Sequence, residues 1–306
     1  GRLSTVRSKP LDYLGELKIE GIDEVFPVTV PTLEVIGVKF LLAVREAGRI
    51  YRRIVDVKGK GNFITEISMD ETDKPQSPLE MFFILGMLAD EGVAVQTIAP
   101  KFTGRFNKGV DYVGDAGKFA IEFEQDLAVI NSAVKKFDLP GNLKLSIHSG
   151  SDKFSIYPVI NKAIRKFDAG LHVKTAGTTW LEEVIGLAAG GGAGLLMAKG
   201  IYAEAIAKKD ELCRPYANVI DIDENNLPGV DEVNGWSSEQ FVNALRHDQS
   251  CEEYNRDFRQ LLHVAYKIAA ELGSDYIDML GKYEDVVAKN VTENIYERHL
   301  KPIFID

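Results

Sequence analysis

Cysteine is nearly missing from this chain: Cys213 and Cys251 are the only two in 306 residues, and no Cys-x-x-Cys pair occurs. A disulfide framework is therefore not expected, and a reduced, cytoplasmic setting is the default. Long hydrophobic runs are missing too. The longest candidate, residues 35–44, is interrupted by Gly37 and Lys39, well short of the roughly 20 apolar residues that span a bilayer. Nor is there a basic surplus. The chain has 36 Lys and Arg against 46 Asp and Glu, a net charge of -10, so nothing is left over to displace nucleic-acid counterions. No P-loop, Gly-x-Ser-x-Gly elbow or His-Glu-x-x-His helix occurs, which leaves nucleotide-cradling, serine-hydrolase and zincin chemistry unsupported. The opening, Gly1-Arg-Leu-Ser-Thr-Val-Arg-Ser-Lys-Pro10, carries neither an initiator Met nor a charged-then-apolar leader. It reads as an interior stretch of a longer gene.

What is present is an ordinary globular composition, 45% apolar and 27% charged, long enough to bury a sizeable core. Ile36, Phe40, Val44, Ala47, Tyr51 and Ile54 recur at helical spacing. Strand-like segments then alternate with helical ones. Residues 63–69, 93–99, 143–148 and 171–175 read as strands, and 218–223 and 261–266 as two more. Helices are expected after Ser77-Pro-Leu-Glu80, which forms a capping box, over 117–137, near 156–167 and near 179–188. Gly92 and the run Gly190–Gly194 read as helix breaks, and a last helix carries Tyr276, Leu280, Tyr283, Val287, Val291 and Ile295 on one face. Repeated strand-then-helix units imply a parallel sheet. With about six strands and no Gly-x-Gly-x-x-Gly turn after the first, the reading is a single α/β domain. It resembles a (β/α) TIM-like barrel lacking its N-terminal strands, with a doubly wound sheet as the competing layout.

In either layout the reactive groups gather where strands run out into helices. Two of only five histidines, His148 and His172, stand at such exits, each near a lysine and a small-residue loop: Ser149-Gly-Ser-Asp-Lys153 and Thr175-Ala-Gly-Thr-Thr179. Matched positions on successive strands suit a shared divalent cation, which needs at least one further ligand. The competing reading is a pair of hydrogen-bonded interior histidines. His263 is a third-ligand candidate with a core role as its alternative, and His247 and His299 read as surface groups. Glu66 lies within an apolar strand, the situation that makes a general acid or base, or else an ion pair with Lys144 or Lys174. Asp70, Glu71 and Asp73 read as a solvated loop. The long loop from Lys101 to Asp115 holds Arg105 and Lys108, suited to clamping a carboxylate, and Asp111, an acid, base or metal ligand.

Taken together, Glu66-Ile-Ser-Met-Asp-Glu-Thr-Asp73, Ala99 to Asp115, His148-Ser-Gly-Ser-Asp-Lys-Phe154, His172-Val-Lys-Thr-Ala-Gly-Thr178 and Arg259-Gln-Leu-Leu-His-Val264 resemble the tagaturonate epimerase family, from about residue 60 to the C-terminus. The resemblance implies a metal-dependent barrel enzyme that interconverts tagaturonate and fructuronate in hexuronate breakdown. It matches His148 and His172 to the family's metal-binding histidines. The family's Asp-x-Asp-His-Leu-Lys-type segment has no counterpart here.

On that resemblance, retro-aldol chemistry would use Glu66 or Asp111 as the proton shuttle. Arg105, Lys108, Lys153 and Lys174 would hold the carboxylate and oxyanion of a small sugar-acid substrate. A homo-oligomer is compatible with the sequence. Two rivals stay open: another metal-dependent sugar isomerase or aldolase, and a non-catalytic sugar-acid-binding remnant.

Overall fold

The computed structural model describes residues 10–148 and 150–306, which form two compact units. The chain is a mixed α/β protein. No helix among the described residues is long and apolar enough to cross a membrane.

The first unit takes residues up to Thr103, then Asp115–His148 and Lys162–His172. It opens with an antiparallel pair, β1 (Gly15–Lys18) and β2 (Val25–Val28). Helix α1 (Val30–Lys58) follows, capped by the Thr29 hydroxyl, which accepts from the Thr32 amide, and with Pro31 in its first turn. The anticipated face is buried at Ile36, Phe40, Val44 and Tyr51, while Ile54 is exposed. Next come β3 (Glu66–Ser68), α2 (Pro78–Asp90), β4 (Thr97–Ala99), α3 (Ala116–Phe137) and β5 (Lys144–Ile147). Residues 81–88 of α2 are buried on all sides, the pattern of a helix packed within a core rather than along its surface.

Helix α4 (Tyr157–Phe167) leads to β6 (Leu171–Val173). The four later strands form one sheet in the order β3-β4-β5-β6, with β3, β4 and β5 parallel. Each strand is three or four residues long, shorter than the sequence pattern suggests.

The second unit comprises Gly104–Gly114, Ser149–Asn161 and Val173–Asp306. It is helical: α5 (Ala176–Gly190), α6 (Gly192–Ala207), α7 (Lys209–Cys213), α8 (Val230–Gly235), α9 (Ser238–Leu245), α10 (Arg256–Val264), α11 (Tyr266–Leu272), α12 (Ser274–Lys282) and α13 (Glu284–Thr292). A π-helical stretch, Glu293–Ile305, ends it. Its core is built from α5, α6, α9 and α10, with Trp180, Tyr202, Phe241 and Phe258 among the buried rings.

Three expectations are corrected here. Residues 261–266 are not a strand; most of them belong to α10, whose start is fixed by Asn255, its side chain accepting from the Asp257 and Phe258 amides. A short, mostly buried apolar run cannot be assigned to strand or helix by periodicity. Residues 218–223 form no strand either. Their backbone is paired by side chains of α10 instead: the Gln260 amide takes the Asp221 N–H and donates to the Asp221 carbonyl, and Asp257 takes the Asp223 N–H. The single last helix is in fact α12, α13 and the π-helical stretch. The glycine run, by contrast, does break the chain between α5 and α6, with Gly191 and Gly192 at positive φ. It is a packed corner, where a Cβ on Gly190 or Gly194 would run into Tyr283 or the Leu187 carbonyl.

Candidate active site

In the first unit the register of the parallel strands decides which side chains meet. Glu66 stands opposite Thr97, and Thr97 opposite Lys144. Because side chains alternate along a strand, Glu66 and Ser68 share a face with Thr97, and with Ser146 and His148 two and four residues beyond Lys144. Glu66 is the hub of this face. Its Oε2 accepts from Thr97 Oγ1 at 3.0 Å and Ser146 Oγ at 2.9 Å, and lies 3.0 Å from His172 Nδ1. Its Oε1 lies 2.9 Å from His148 Nε2. The other His148 nitrogen, Nδ1, is 3.1 Å from Asp70 Oδ1, and the Ser68 hydroxyl donates to that same oxygen at 2.6 Å.

His148 thus sits between two carboxylates, placed to donate from both nitrogens. Burial works to raise the Asp70 carboxyl, but the hydrogen bonds from His148 and Ser68 outweigh it and hold it below the usual range. Asp70, read from the sequence as solvated, is therefore part of the cluster. Thr97 and Ser146 were not singled out at all. The signal that finds them is the same alternation, carried across neighbouring strands.

The other candidate residues lie in the second unit. Arg105 is exposed and 3.2 Å from Asp221, which also takes Arg256 at 3.1 Å. The Lys108 ammonium sits over the Tyr216 ring, 5.3 Å from its centroid, and its amide donates to the Val219 carbonyl. Asp111 accepts from the Ser155 hydroxyl at 2.9 Å and from the Tyr112 amide at 2.7 Å. Lys174 is exposed just past β6.

Lys153, by contrast, is wholly buried. Its three ammonium hydrogens go to the carbonyls of Asn107, Val110 and Ser151 at 2.9, 2.6 and 3.1 Å. Burial pulls its pKa down to about 8, with Asp152 and Asp111 opposing.

His263 is neutral at ordinary pH, since burial and the nearby Lys108 cation push it down to about 3. Its ring is packed so closely that a Cβ on Gly177 would overlap it and one on Gly109 would press against it. The two histidines expected at the surface are instead buried, His247 at 2% and His299 at 1% exposure. Their polar sequence neighbours gave no hint of this. His299 accepts the Asp152 amide on Nε2 and donates from Nδ1 to the Asn294 carbonyl, which satisfies both ring nitrogens.

Two imidazoles and two carboxylates around Glu66 are the donor types that a divalent metal takes. Among the described residues, however, no three histidine, cysteine or acidic side chains converge on one point; the four groups are hydrogen-bonded to one another.

The tagaturonate epimerase family model matches residues 9–303, extending the resemblance to the N-terminal elements. A tagaturonate/fructuronate epimerase of Thermotoga maritima is 31% identical over 243 residues, 78% of this chain and 45% of that protein. A glycerol-complexed crystal structure of the fructuronate-tagaturonate epimerase UxaE from Cohnella laeviribosi aligns with TM-score 0.76 at 25% identity, over 97% of this chain and 56% of that one. The native crystal structure of the same enzyme gives 0.72 at 26% identity over the same shares. The chain spans about half the length of the relatives it matches. With the family model matching nearly every residue from the first strand pair to the terminal π-helical stretch, the chain belongs to the tagaturonate epimerase family.

Proposed function

We propose that this chain is an epimerase that interconverts D-tagaturonate and D-fructuronate, with Glu66 as its proton shuttle. The observation that carries the reading is the Glu66 carboxylate at the start of β3, held by the Thr97 and Ser146 hydroxyls and faced by the imidazoles of His148, just past β5, and His172, within β6. Family membership and the relatives' printed activity support it.

The carbon to be inverted is not adjacent to the ketone, so removing an α-proton does not change it. A carboxylate can instead take the proton of the hydroxyl on that carbon. The bond to the neighbouring α-carbon then breaks, leaving an aldehyde and an enediolate. The aldehyde turns, the same bond reforms on its other face, and the carboxylate returns the proton. No atom is gained or lost.

In this reading Glu66 holds the proton and Thr97 and Ser146 fix its orientation. Asp70 holds the His148 ring in place from Nδ1. Arg105, Lys108 and Lys174 supply positive charge for the substrate carboxylate, and Asp111 is the second candidate for proton transfer. A divalent cation at His148 and His172 belongs to the proposal; it needs a further ligand beyond these two and would add electrophilic pull on the ketone oxygen. The strand order also fits an arc of a (β/α) barrel: the strands run β3-β4-β5-β6 without the reversal that marks a doubly wound sheet.

The test is to incubate the purified chain with tagaturonate and follow fructuronate by proton NMR, with and without a strong chelator, while assaying bound metal in wild type and His148→Ala. Conversion that chelator abolishes, with metal lost from the variant, is the expected result. Conversion undiminished in excess chelator removes the metal, and no conversion by the metal-replete chain removes the epimerase.

A further inference from the structure

The loop from Gly104 to Gly114 carries Arg105, Lys108 and Asp111, and its conformation is fixed by two cations that solvent does not reach. Its neck is closed by a two-way backbone pair, Arg105 N–H to Val113 carbonyl at 2.8 Å and Val113 N–H to Arg105 carbonyl at 3.3 Å. Gly104 and Gly109 turn it at positive φ, conformations that a side-chain-bearing residue resists. Between these points the carbonyls of Asn107, Gly109 and Val110 are taken by side-chain cations. Lys153 Nζ holds the first and third. Arg259 Nε holds the second at 2.6 Å.

Arg259 is itself fully buried, with Nη1 on the Leu245 carbonyl at 2.7 Å and Nη2 on Asp152 Oδ2 at 2.6 Å. Asp152 sits at φ 59, a left-handed backbone that non-glycine residues rarely adopt. The hydrogen bond from its amide to His299 supports that conformation.

Burying two cations is costly even when they are paired and hydrogen-bonded. A surface loop needing only to stay folded can be tied by exposed polar contacts. Here the costly groups hold three carbonyls of the one segment that carries Arg105, Lys108 and Asp111.

We propose that Lys153 and Arg259 are positioning residues, which present Arg105, Lys108 and Asp111 in a fixed arrangement and so set affinity for the sugar acid. This rests on the epimerase reading for its substrate, and it gives Lys153 a role other than direct carboxylate binding. A preset loop lowers the ordering cost of binding.

Two variants test it, Lys153→Met, similar in length and uncharged, and Arg259→Lys, which keeps a charge beside Asp152. Amide hydrogen exchange of residues 104–114 is read together with KM and kcat for tagaturonate. Phe241→Leu, a core variant of the same unit, is the control for general destabilisation. Lys153→Met is expected to speed loop exchange and raise KM about tenfold or more, with a much smaller change in kcat. Arg259→Lys should recover part of both effects, and Phe241→Leu should change neither loop exchange nor KM.

Unchanged loop exchange in both loop variants would overturn the proposal. So would a loosened loop with wild-type KM, or a matching KM change in Phe241→Leu, and either of these leaves the epimerase reading standing. An inactive but metal-replete wild-type chain would instead remove the epimerase reading and the substrate role with it; loop exchange would then report on the pinning alone. If Lys153→Met does not fold, Arg259→Lys decides by the same two readouts.

Discussion

Single residues show most clearly how burial sets chemistry. Glu182 is buried, and burial raises its carboxyl to about 7 against the pull of Arg259. The folded state therefore keeps a proton over the window from 4.5 to about 7 that the unfolded chain has already lost. Stability falls as pH rises through that window, by up to about 3 kcal/mol. His263 acts from the other side: its folded pKa is depressed to about 3, so stability is lost as pH falls from 6.5 toward 3. Glu182→Gln should therefore gain several degrees in melting temperature relative to wild type at pH 8, and much less at pH 5. Parallel melting curves across that range would show that the carboxyl ionises freely in the fold. Neither shift is visible in the sequence. Glu182 sits at an unremarkable position in a helical pattern, and its environment is made by distant residues such as Arg259 and Asn294.

At the scale of elements, local chemistry was legible and long-range pairing was not. Ser77-Pro-Leu-Glu80 announces the start of α2, and the capping box forms as written, Ser77 Oγ accepting the Glu80 amide and Glu80 the Ser77 amide. Ser77→Ala should cost about 1 kcal/mol, read as a lower urea midpoint with unchanged slope; an unchanged midpoint would mean the cap does not hold the helix. Asn255 is the same signal in front of α10, but the apolar run behind it reads equally as a strand. The 218–223 segment misleads for a related reason: the backbones of Asp221 and Asp223 pair with the Gln260 and Asp257 side chains, so the segment needs no neighbouring strand. The helix breaks at Gly92 and at the glycine run were readable because positive φ favours glycine.

For the whole molecule, the sequence marks strand exits and their histidines, but not what those side chains face. His148 and His172 were anticipated as a pair and Glu66 was singled out separately; the three meet in the first unit. Thr97, Ser146 and Asp70, which complete the cluster, depend on a register that only the sheet supplies. The long cation-bearing loop was also anticipated, whereas the buried cations that hold it were not. One of them, Lys153, looked like a ligand for substrate because sequence shows a charge and not its burial.

The account turns on Glu66 as the proton-transferring group, and its most direct test is the rate of tagaturonate conversion by Glu66→Gln. The amide keeps the shape and hydrogen-bonding reach of the side chain but cannot take up the hydroxyl proton. With native circular dichroism retained, the rate should fall at least about a hundredfold. A folded Glu66→Gln protein that turns over tagaturonate at the wild-type rate would contradict the account.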